Sequence, residues 1–240
     1  MNIAIFSTRD FHHTYYINRI NKIFPISNVI YENRKLAVTI DNSSPFQNEQ
    51  DKFEKNYFFK KTKDQLDSSI NVIDVDSINS ERIIEFGVLE KFDLIIVFGC
   101  GKIDSKVIKA FDYKIINIHR GIARDYRGLD SDLWAIKNND FNSIGTTIHY
   151  IDENLDTGDI VYEEVAKLSK DDKIYKLRAI TTDIAIKGTL FFLNSMTKNK
   201  IYRINQDNYG AYYSSMSRKD KDEAKLIFQN YINKLFENEI

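Results

Sequence analysis

The sequence predicts an α/β fold in which helices flank a mostly parallel, twisted β-sheet. Short apolar runs of the kind found in buried strands recur along the 240 residues, and segments with apolar residues at helical spacing separate them. The intervals between successive runs are long enough for the covering helix that a parallel crossover requires. Together these observations indicate a Rossmann-like architecture, to which a small C-terminal β/α extension is added.

The first half of the chain is expected to supply five strands and three helices in alternation. The strands are residues 2–7, 29–31, 71–75, 93–98 and 114–118. The helices are residues 11–24, a segment from about residue 80 that carries Ile83, Ile84, Val88 and Leu89 as its apolar residues, and residues 105–110. Residues 33–69 are polar and uneven, so we expect an irregular excursion there with room for one helix.

The second half is expected to add two strands and three helices. In chain order its segments are a loop at 120–129, a helix through 134–137, β runs at 145–150 and 159–165, a long helix near 173–197, a candidate strand at 201–204 and a helix near 218–238. The last helix is amphipathic and carries on one side Ala224, Ile227, Phe228, Tyr231, Ile232 and Leu235. We therefore divide the chain into a main domain, residues 1–198, and a small C-terminal extension, residues 199–240.

The composition excludes several classes of protein. An apolar fraction of 42% argues against disorder. The net charge of -1 gives no general attraction to nucleic acid or to a membrane surface. Cys100 is the only cysteine, which excludes an internal disulfide and a cysteine zinc cluster and suits a reducing cytoplasm. No stretch approaches the roughly 20 apolar residues that a membrane helix needs, so we expect a cytoplasmic protein.

Polar residues of the type used in acyl transfer lie at the end of the strand at 114–118. Asn117 and His119 are two residues apart, so they can face one pocket, and ligands of open α/β sheets bind beyond the carboxyl ends of the strands. An amide can stabilise an oxyanion and an imidazole can accept a proton, and Asp156 could add a carboxylate. Spacing alone also permits a strand-end histidine that bonds only to backbone and an asparagine that caps a turn.

Five short sequence blocks give these residues a more specific meaning. They are Asn117-Ile118-His119, Tyr126-Arg127-Gly128, Trp134-Ala135-Ile136, Gly145-Thr146-Thr147-Ile148-His149 and Asp156-Thr157-Gly158-Asp159-Ile160. In this order and spacing the blocks resemble the folate-dependent formyltransferases, a family that includes glycinamide ribonucleotide, methionyl-tRNA and nucleotide-sugar formyltransferases. The resemblance is strong over residues 93–161 and faint elsewhere. It departs after His119, where the family often has a proline-containing turn and this chain reads Arg120-Gly121-Ile122-Ala123-Arg124.

The resemblance implies a catalytic domain at residues 1–198 that uses N10-formyltetrahydrofolate as co-substrate and no metal. It assigns Asn117, His119 and Asp156 to catalysis. It also implies a pterin site built largely from the backbone of two segments, which are Gly101, Lys102 and Ile103, and Ile151, Asp152 and Glu153. Asp156-Thr157-Gly158 is also the signature of aspartic proteases, but that chemistry needs two such carboxylates in one site.

The expected acceptor is the amine of a nucleotide-linked amino sugar, and the specific sugar that we expect is dTDP-4-amino-4,6-dideoxyglucose. The reaction would serve surface polysaccharide (O-antigen) biosynthesis. The charge of -1 and the short segment after Lys198 argue against methionyl-tRNA. Four residues are expected to contact this substrate: Tyr126, Arg127, His13 and Tyr212. Glycinamide ribonucleotide or another amine is an alternative acceptor, and a non-catalytic folate- or nucleotide-binding regulator is an alternative function. We also expect a homodimer joined through the C-terminal extension, which is too short to form a core alone.

Overall fold

The computed structural model describes residues 1–33, 40–60, 62–207, 209–235 and 237, and a seven-stranded sheet forms its centre. The strands in chain order are β1 (Ile3–Ser7), β2 (Asn28–Glu32), β3 (Asn71–Val75), β4 (Leu94–Phe98), β5 (Ile115–Arg120), β6 (Tyr126–Gly128), β7 (Gly145–Tyr150), β8 (Ile160–Val165) and β9 (Ala211–Tyr213). The sheet order is β3-β2-β1-β4-β5-β7-β8, while β6 and β9 form a separate two-stranded sheet. β1 to β5 are parallel and β7 and β8 are antiparallel, which confirms the predicted α/β class.

Seven helices cover the sheet or extend from it within the described residues. They are α1 (Phe11–Asn21), α2 (Gln47–Phe59), α3 (Glu81–Leu89), α4 (Ser105–Ala110), α5 (Ser131–Lys137), α6 (Leu177–Thr197) and α7 (Arg218–Leu235). α1 is capped by the side chain of Asp10, which accepts a hydrogen bond from the backbone N–H of Phe11. α2 is the helix for which the polar excursion at 33–69 had room. Part of that excursion, residues 34–39 and 61, lies outside the described residues.

Helices on both sides of the sheet bury both faces of its central strands. All five residues of β4 are buried. They alternate between two hydrophobic clusters, with Leu94, Ile96 and Phe98 on the α1 and α6 side and Ile95 and Val97 on the α3 and α4 side. This explains why the central strands are continuous apolar runs in the sequence, since a strand buried on both faces has no exposed position for a polar residue.

The residues after Lys198 share a core with the rest of the chain. Met216, Ala224, Phe228 and Ile232 pack in one hydrophobic cluster with residues of α5, of α6 and of the segment just before β7. On the expected apolar side of the last helix, Ala224, Phe228 and Ile232 are buried, Ile227 and Tyr231 are half-buried, and Leu235 is exposed. Trp134 and Tyr213 stack with ring centroids 5.0 Å apart in the same region. Within the described residues no helix combines the length and the apolar character needed to cross a membrane.

Two local expectations were wrong. The candidate strand at 201–204 is reduced to one antiparallel bridge between Ile204 and Ile160. The expected loop at 120–129 contains β6, which was not predicted because a three-residue strand shows no alternation. The predicted helix from about residue 80 is present as α3, in which Ile83 is buried and Val88 and Leu89 are exposed. Its Gly87 lies so close to Phe111 that an added Cβ would be 2.7 Å from the ring.

Candidate active site

Asn117 and His119 both lie on β5, and the sheet gives them a polar neighbour on β7. The antiparallel pairing of β5 with β7 sets Asn117 directly opposite His149. Residues two apart on one strand point to the same side of the sheet, and a directly opposite residue shares that side. Asn117 Nδ2 lies 3.3 Å from His149 Nε2. His149 therefore belongs to the same cluster.

Asp156 completes this cluster from the loop between β7 and β8. Its Oδ1 accepts a hydrogen bond from Asn117 Nδ2 at 3.2 Å and lies 3.4 Å from His149 Nε2. Its Oδ2 accepts from the backbone N–H of Gly128 at 2.9 Å and lies 3.5 Å from His119 Nδ1. His119, His149 and Asp156 are each at most 7% exposed. The structure thus brings Asn117, His119 and Asp156 together and adds the backbone of β6 to them.

Backbone carbonyl groups fix the proton positions of both imidazoles. His119 Nε2 lies 2.8 Å from the carbonyl oxygen of Tyr126, and His149 Nδ1 lies 2.8 Å from that of Tyr150. Because a carbonyl oxygen only accepts, each of these two nitrogens carries a proton. Nδ1 is therefore the nitrogen of His119 that can gain and lose a proton, and it faces the Asp156 carboxylate.

Burial and charge act in opposite directions on the two ionisable groups of this pair. Burial lowers the pKa of His119, and the nearby Asp156 carboxylate opposes this effect. Burial alone would raise the pKa of Asp156, but the imidazoles of His119 and His149 and the N–H of Gly128 outweigh it and hold that pKa well below its usual range. Asp156 is therefore ionised at neutral pH, beside an imidazole nitrogen that can accept a proton.

The main chain at Asp156 adopts the left-handed conformation, with φ of 55°. Such a conformation costs about 1–3 kcal/mol for a residue other than glycine and persists only where the surroundings fix it. The hydroxyl group of Thr157 donates to the carboxylate of Asp152 at 2.7 Å. The side-chain amide of Gln206 donates to the carbonyl oxygen of Gly158 at 2.6 Å. Neighbouring side chains thus fix the loop on both sides of the Asp156 carboxylate.

The residues predicted to hold the folate lie on two segments that meet in one hydrophobic cluster. Gly101, Lys102 and Ile103 follow the carboxyl end of β4, and Ile103 is buried. Ile151, Asp152 and Glu153 follow β7, and Ile151 packs against the same cluster as Ile103. The assignment of these six residues to a folate site stays a prediction.

Two side chains that the sequence did not single out hold the segment after β4 in place. The carboxylate of Glu32, at the end of β2, accepts from the backbone N–H of Gly101 at 2.9 Å and from a second backbone N–H at 3.0 Å. The amide of Asn79 donates to the Lys102 carbonyl oxygen at 2.9 Å and accepts from the Asp104 N–H at 2.8 Å. All four partners are backbone groups, so no residue pattern in the sequence could reveal these contacts.

Three of the four residues predicted to contact the acceptor lie together on β6 and β9. Arg127 is the direct partner of Tyr212 in this parallel pair. The Tyr126 ring is buried against Tyr213, with centroids 5.4 Å apart, while Tyr212 is 59% exposed. Arg127 Nε donates to the carbonyl oxygen of Gly210 at 2.7 Å. Since the backbone of β6 also contacts His119 and Asp156, these residues border the polar cluster.

The fourth residue, His13, lies at the ends of β1 and β4. It is 5% exposed, and its Nδ1 lies 2.9 Å from the carbonyl oxygen of Thr8. Its ring packs on Phe98, and a Cβ added to Gly99 would lie 2.4 Å from its Cε1. Burial lowers the pKa of His13 to about 4. Its assignment to the acceptor site stays a prediction, and very little of its surface is open to a ligand.

A buried ionic network lies beside His13. The guanidinium of Arg178 donates to both carboxylate oxygens of Glu54, at 2.6 and 2.7 Å, and contacts Asp10 at 3.3 Å. Ligand atoms of Asp10, His12 and Glu54 lie within 4.8 Å of one another, a spacing that a metal ion could use. Arg178 already pairs with both of these carboxylates, so the group fits a structural ion-pair network better than a metal site.

Comparison with known proteins places the fold and the sequence in one family. A family model described as "Formyl transferase" matches residues 38–190. The methionyl-tRNA formyltransferase of Finegoldia magna is 27% identical over 165 residues, which are 68% of this chain and 48% of that protein. The chain thus spans about half the length of the curated relatives that it matches.

Solved structures share the fold at lower identity. WlaRD, a sugar 3N-formyl transferase crystallised in the presence of dTDP and 5-N-formyl-THF, has a TM-score of 0.65 and 18% identity over 96% of this chain and 81% of its own. The N-formyltransferase from Helicobacter canadensis, in complex with folinic acid and dTDP-3-aminofucose, has a TM-score of 0.59 and 17% identity over 92% and 72% of the two chains. At these identities the similarity establishes a shared fold.

Proposed function

The chain belongs to the formyl transferase family, and we propose that it transfers a formyl group from N10-formyltetrahydrofolate to the amine of a nucleotide-linked amino sugar. The observation that carries this proposal is the buried cluster in which one carboxylate, that of Asp156, contacts Asn117, His119 and His149. Transfer of a formyl group to an amine needs a donor for the oxyanion and a route for the amine proton. The cluster supplies both.

Asn117 is the proposed oxyanion donor. The side-chain nitrogen of Asn117 donates to Asp156 at 3.2 Å and lies 3.3 Å from His149 Nε2, and both are long distances for an N–H donor. An oxyanion that develops on the formyl oxygen is a stronger acceptor than a neutral imidazole. We therefore expect one N–H of Asn117 to leave His149 and turn to the formyl oxygen in the transition state, where one such donor contributes about 3 kcal/mol.

Asp156 and His119 form the proposed proton route. The neutral amine attacks the formyl carbon, and the bond from that carbon to N10 of the folate then breaks. The amine loses one proton and N10 gains one, so the step needs a group that accepts and then donates. An ionised Asp156 beside the Nδ1 atom of His119 can hold that proton between the two events. The products are the N-formylated acceptor amine and tetrahydrofolate.

A nucleotide sugar is proposed as the acceptor on the basis of structural similarity and of three residues that border the cluster. Two solved structures of the same fold were obtained with dTDP or a dTDP-linked sugar, which supports a nucleotide sugar. Tyr126, Arg127 and Tyr212 border the cluster and could receive it. We further propose dTDP-4-amino-4,6-dideoxyglucose as the substrate, surface polysaccharide synthesis in the cytoplasm as the setting, and a homodimer as the active form.

Methionyl-tRNA is the second candidate acceptor. The Finegoldia magna relative named above is a methionyl-tRNA formyltransferase, 27% identical to this chain. The net charge of -1 works against this candidate, because affinity for RNA depends on neutralising phosphates with basic residues.

A single assay separates these candidates. The protein is incubated with N10-formyltetrahydrofolate and, separately, with dTDP- and UDP-linked amino sugars, glycinamide ribonucleotide and methionyl-tRNA, and release of tetrahydrofolate is followed. We expect release with a dTDP-linked amino sugar and none from the variant His119→Ala. Release only with methionyl-tRNA would transfer the proposal to that acceptor, and no release with any amine would refute the enzymatic function.

A further inference from the structure

Gln206 lies beside the loop that carries Asp156, although it is some fifty residues away in the sequence. Its side chain is 1% exposed. Its Nε2 donates to the carbonyl oxygen of Gly158 at 2.6 Å and lies 3.4 Å from that of Asp156. One amide group of the C-terminal extension thus contacts the main chain of the catalytic loop at two positions.

The register of the nearby bridge explains how Gln206 reaches this loop. Ile204 and Ile160 exchange two backbone hydrogen bonds, at 2.8 and 2.9 Å, in antiparallel orientation. Continuing that pairing by two residues sets Gln206 opposite Gly158. On its other side Gly158 approaches β7 so closely that an added Cβ would lie 1.9 Å from the Tyr150 carbonyl oxygen. The loop is therefore held between β7 and the side chain of Gln206.

A purely structural role explains this glutamine poorly. Among the described residues its Oε1 has no hydrogen-bond partner, although the atom is buried. A buried polar atom without a partner destabilises the folded chain, and an apolar side chain of the same shape would avoid that loss. What an apolar side chain could not supply is the pair of contacts to the carbonyl oxygens of Asp156 and Gly158.

We propose that Gln206 is a positioning residue. It holds the strained main chain at Asp156 so that the Asp156 carboxylate stays in contact with His119 and Asn117. This inference rests on the proposed function, because it assigns Gln206 a role in the same formyl transfer. A displacement of a reacting group by about 1 Å can cost about 100-fold in rate, so a modest shift of the loop would be visible in kcat.

Two substitutions test the proposal. Gln206→Met keeps the length of the side chain but removes the donor at every pH. Gln206→Glu keeps a donor only while the introduced carboxyl group is protonated, and its burial beside two carbonyl oxygens should raise its pKa into the range of the assay. Asn205→Ala, at the exposed neighbouring position, is the control. The measurement is kcat and KM for tetrahydrofolate release over about pH 5.5 to 8, each value divided by that of the wild type.

We expect Gln206→Met to lower kcat about 100-fold at every pH, with KM values and the Asn205→Ala control near those of the wild type. Gln206→Glu should show the same loss at high pH and recover toward wild type as the pH falls. General destabilisation would not produce such a recovery. A kcat of Gln206→Met within about twofold of wild type, or a loss in Gln206→Glu that does not change with pH, would overturn the proposal.

A second measurement does not depend on turnover. The pKa and the Nδ1 resonance of His119, observed by NMR in protein with 15N-labelled histidine, report how close the Asp156 carboxylate lies. Gln206→Met should lower this pKa and shift the resonance, while Asn205→Ala should change neither. An unchanged His119 would refute the positioning role even if no amine is found to accept a formyl group. A shifted His119 in a protein without turnover would refute the proposed function and support the positioning role.

Discussion

The imidazole of His119 donates from Nε2 to the main-chain carbonyl oxygen of Tyr126 at 2.8 Å. Because the acceptor is a backbone atom, the orientation of the ring is set by the position of β6 and not by another side chain. The same strand places the N–H of Gly128 on Asp156. β6 therefore controls both members of the proposed proton route, and the main chain of this short strand is where the route is most easily disturbed.

We predict that Gly128→Ala lowers kcat by about 100-fold through this strand. Gly128 has φ of 95°, and an added Cβ would lie 2.2 Å from the carbonyl oxygen of Tyr213. The substitution must separate β6 from β9 and so withdraw the N–H from Asp156. The measurement is kcat together with the free energy of unfolding in urea. Wild-type kcat in a folded variant would contradict the control of the proton route by β6.

Asp156→Asn should lower kcat by about 1000-fold while the fold is kept. The amide preserves the shape of the side chain but cannot stabilise a protonated His119. Asp112→Asn is a matched control, since Asp112 also has a left-handed main chain, with φ of 53°, and is exposed. Single-turnover kinetics with the donor bound would measure the chemical step. If both variants kept the wild-type rate, Asp156 would have no part in proton transfer.

Glu32→Gln should raise KM for N10-formyltetrahydrofolate about tenfold and leave kcat and KM for the acceptor unchanged. Each carboxylate oxygen of Glu32 accepts a hydrogen bond from one backbone N–H group, whereas a glutamine side chain has only one oxygen that can accept. The segment that begins at Gly101 should loosen as a result. Glu85→Gln, at an exposed position on α3, is the control. An equal rise in KM for both substrates would show that the segment does not act on the donor alone.

Stability should fall as the pH decreases from about 6.5 to about 4. Burial lowers the pKa of His13 to about 4, whereas a histidine in the unfolded chain titrates near 6.5. Between these values the unfolded chain binds more protons than the folded chain, so acid favours unfolding. The loss that His13 contributes is about 3 kcal/mol. Urea denaturation at several pH values should show this slope, and His13→Phe should reduce it. An equal slope in both proteins would exclude His13 as its source.

Asp156 adds to the loss of stability at lower pH. Its pKa in the folded chain lies below that of an unfolded aspartate, near 3.9, so its contribution is present above that value and is lost as the pH falls further. The wild type should therefore continue to lose stability below about pH 4 more steeply than Asp156→Asn. Parallel curves for the two proteins in this range would contradict the lowered pKa.

The sequence predicted those parts of the fold that depend on burial. The central strands of the large sheet are apolar runs because both of their faces are covered, as β4 shows. β6 and β9 were not predicted, because each has three residues and is stabilised mainly by the other. For the site, Asn117, His119 and Asp156 could be proposed because their order resembles a family. Glu32 and Gln206 could not, because they act on backbone groups, and any segment of the chain offers such groups.

The pairing of β6 with β9 has a consequence for synthesis on the ribosome. β6 supports His119 and Asp156, and its partner strand is made much later, after α5, the last strands of the sheet and α6. The large sheet can therefore form on the nascent chain while the groups of the proposed proton route are still unaligned. Because contacts distant in sequence form late and domains fold as units, catalytic competence should arise abruptly, once residues 204–213 have left the exit tunnel.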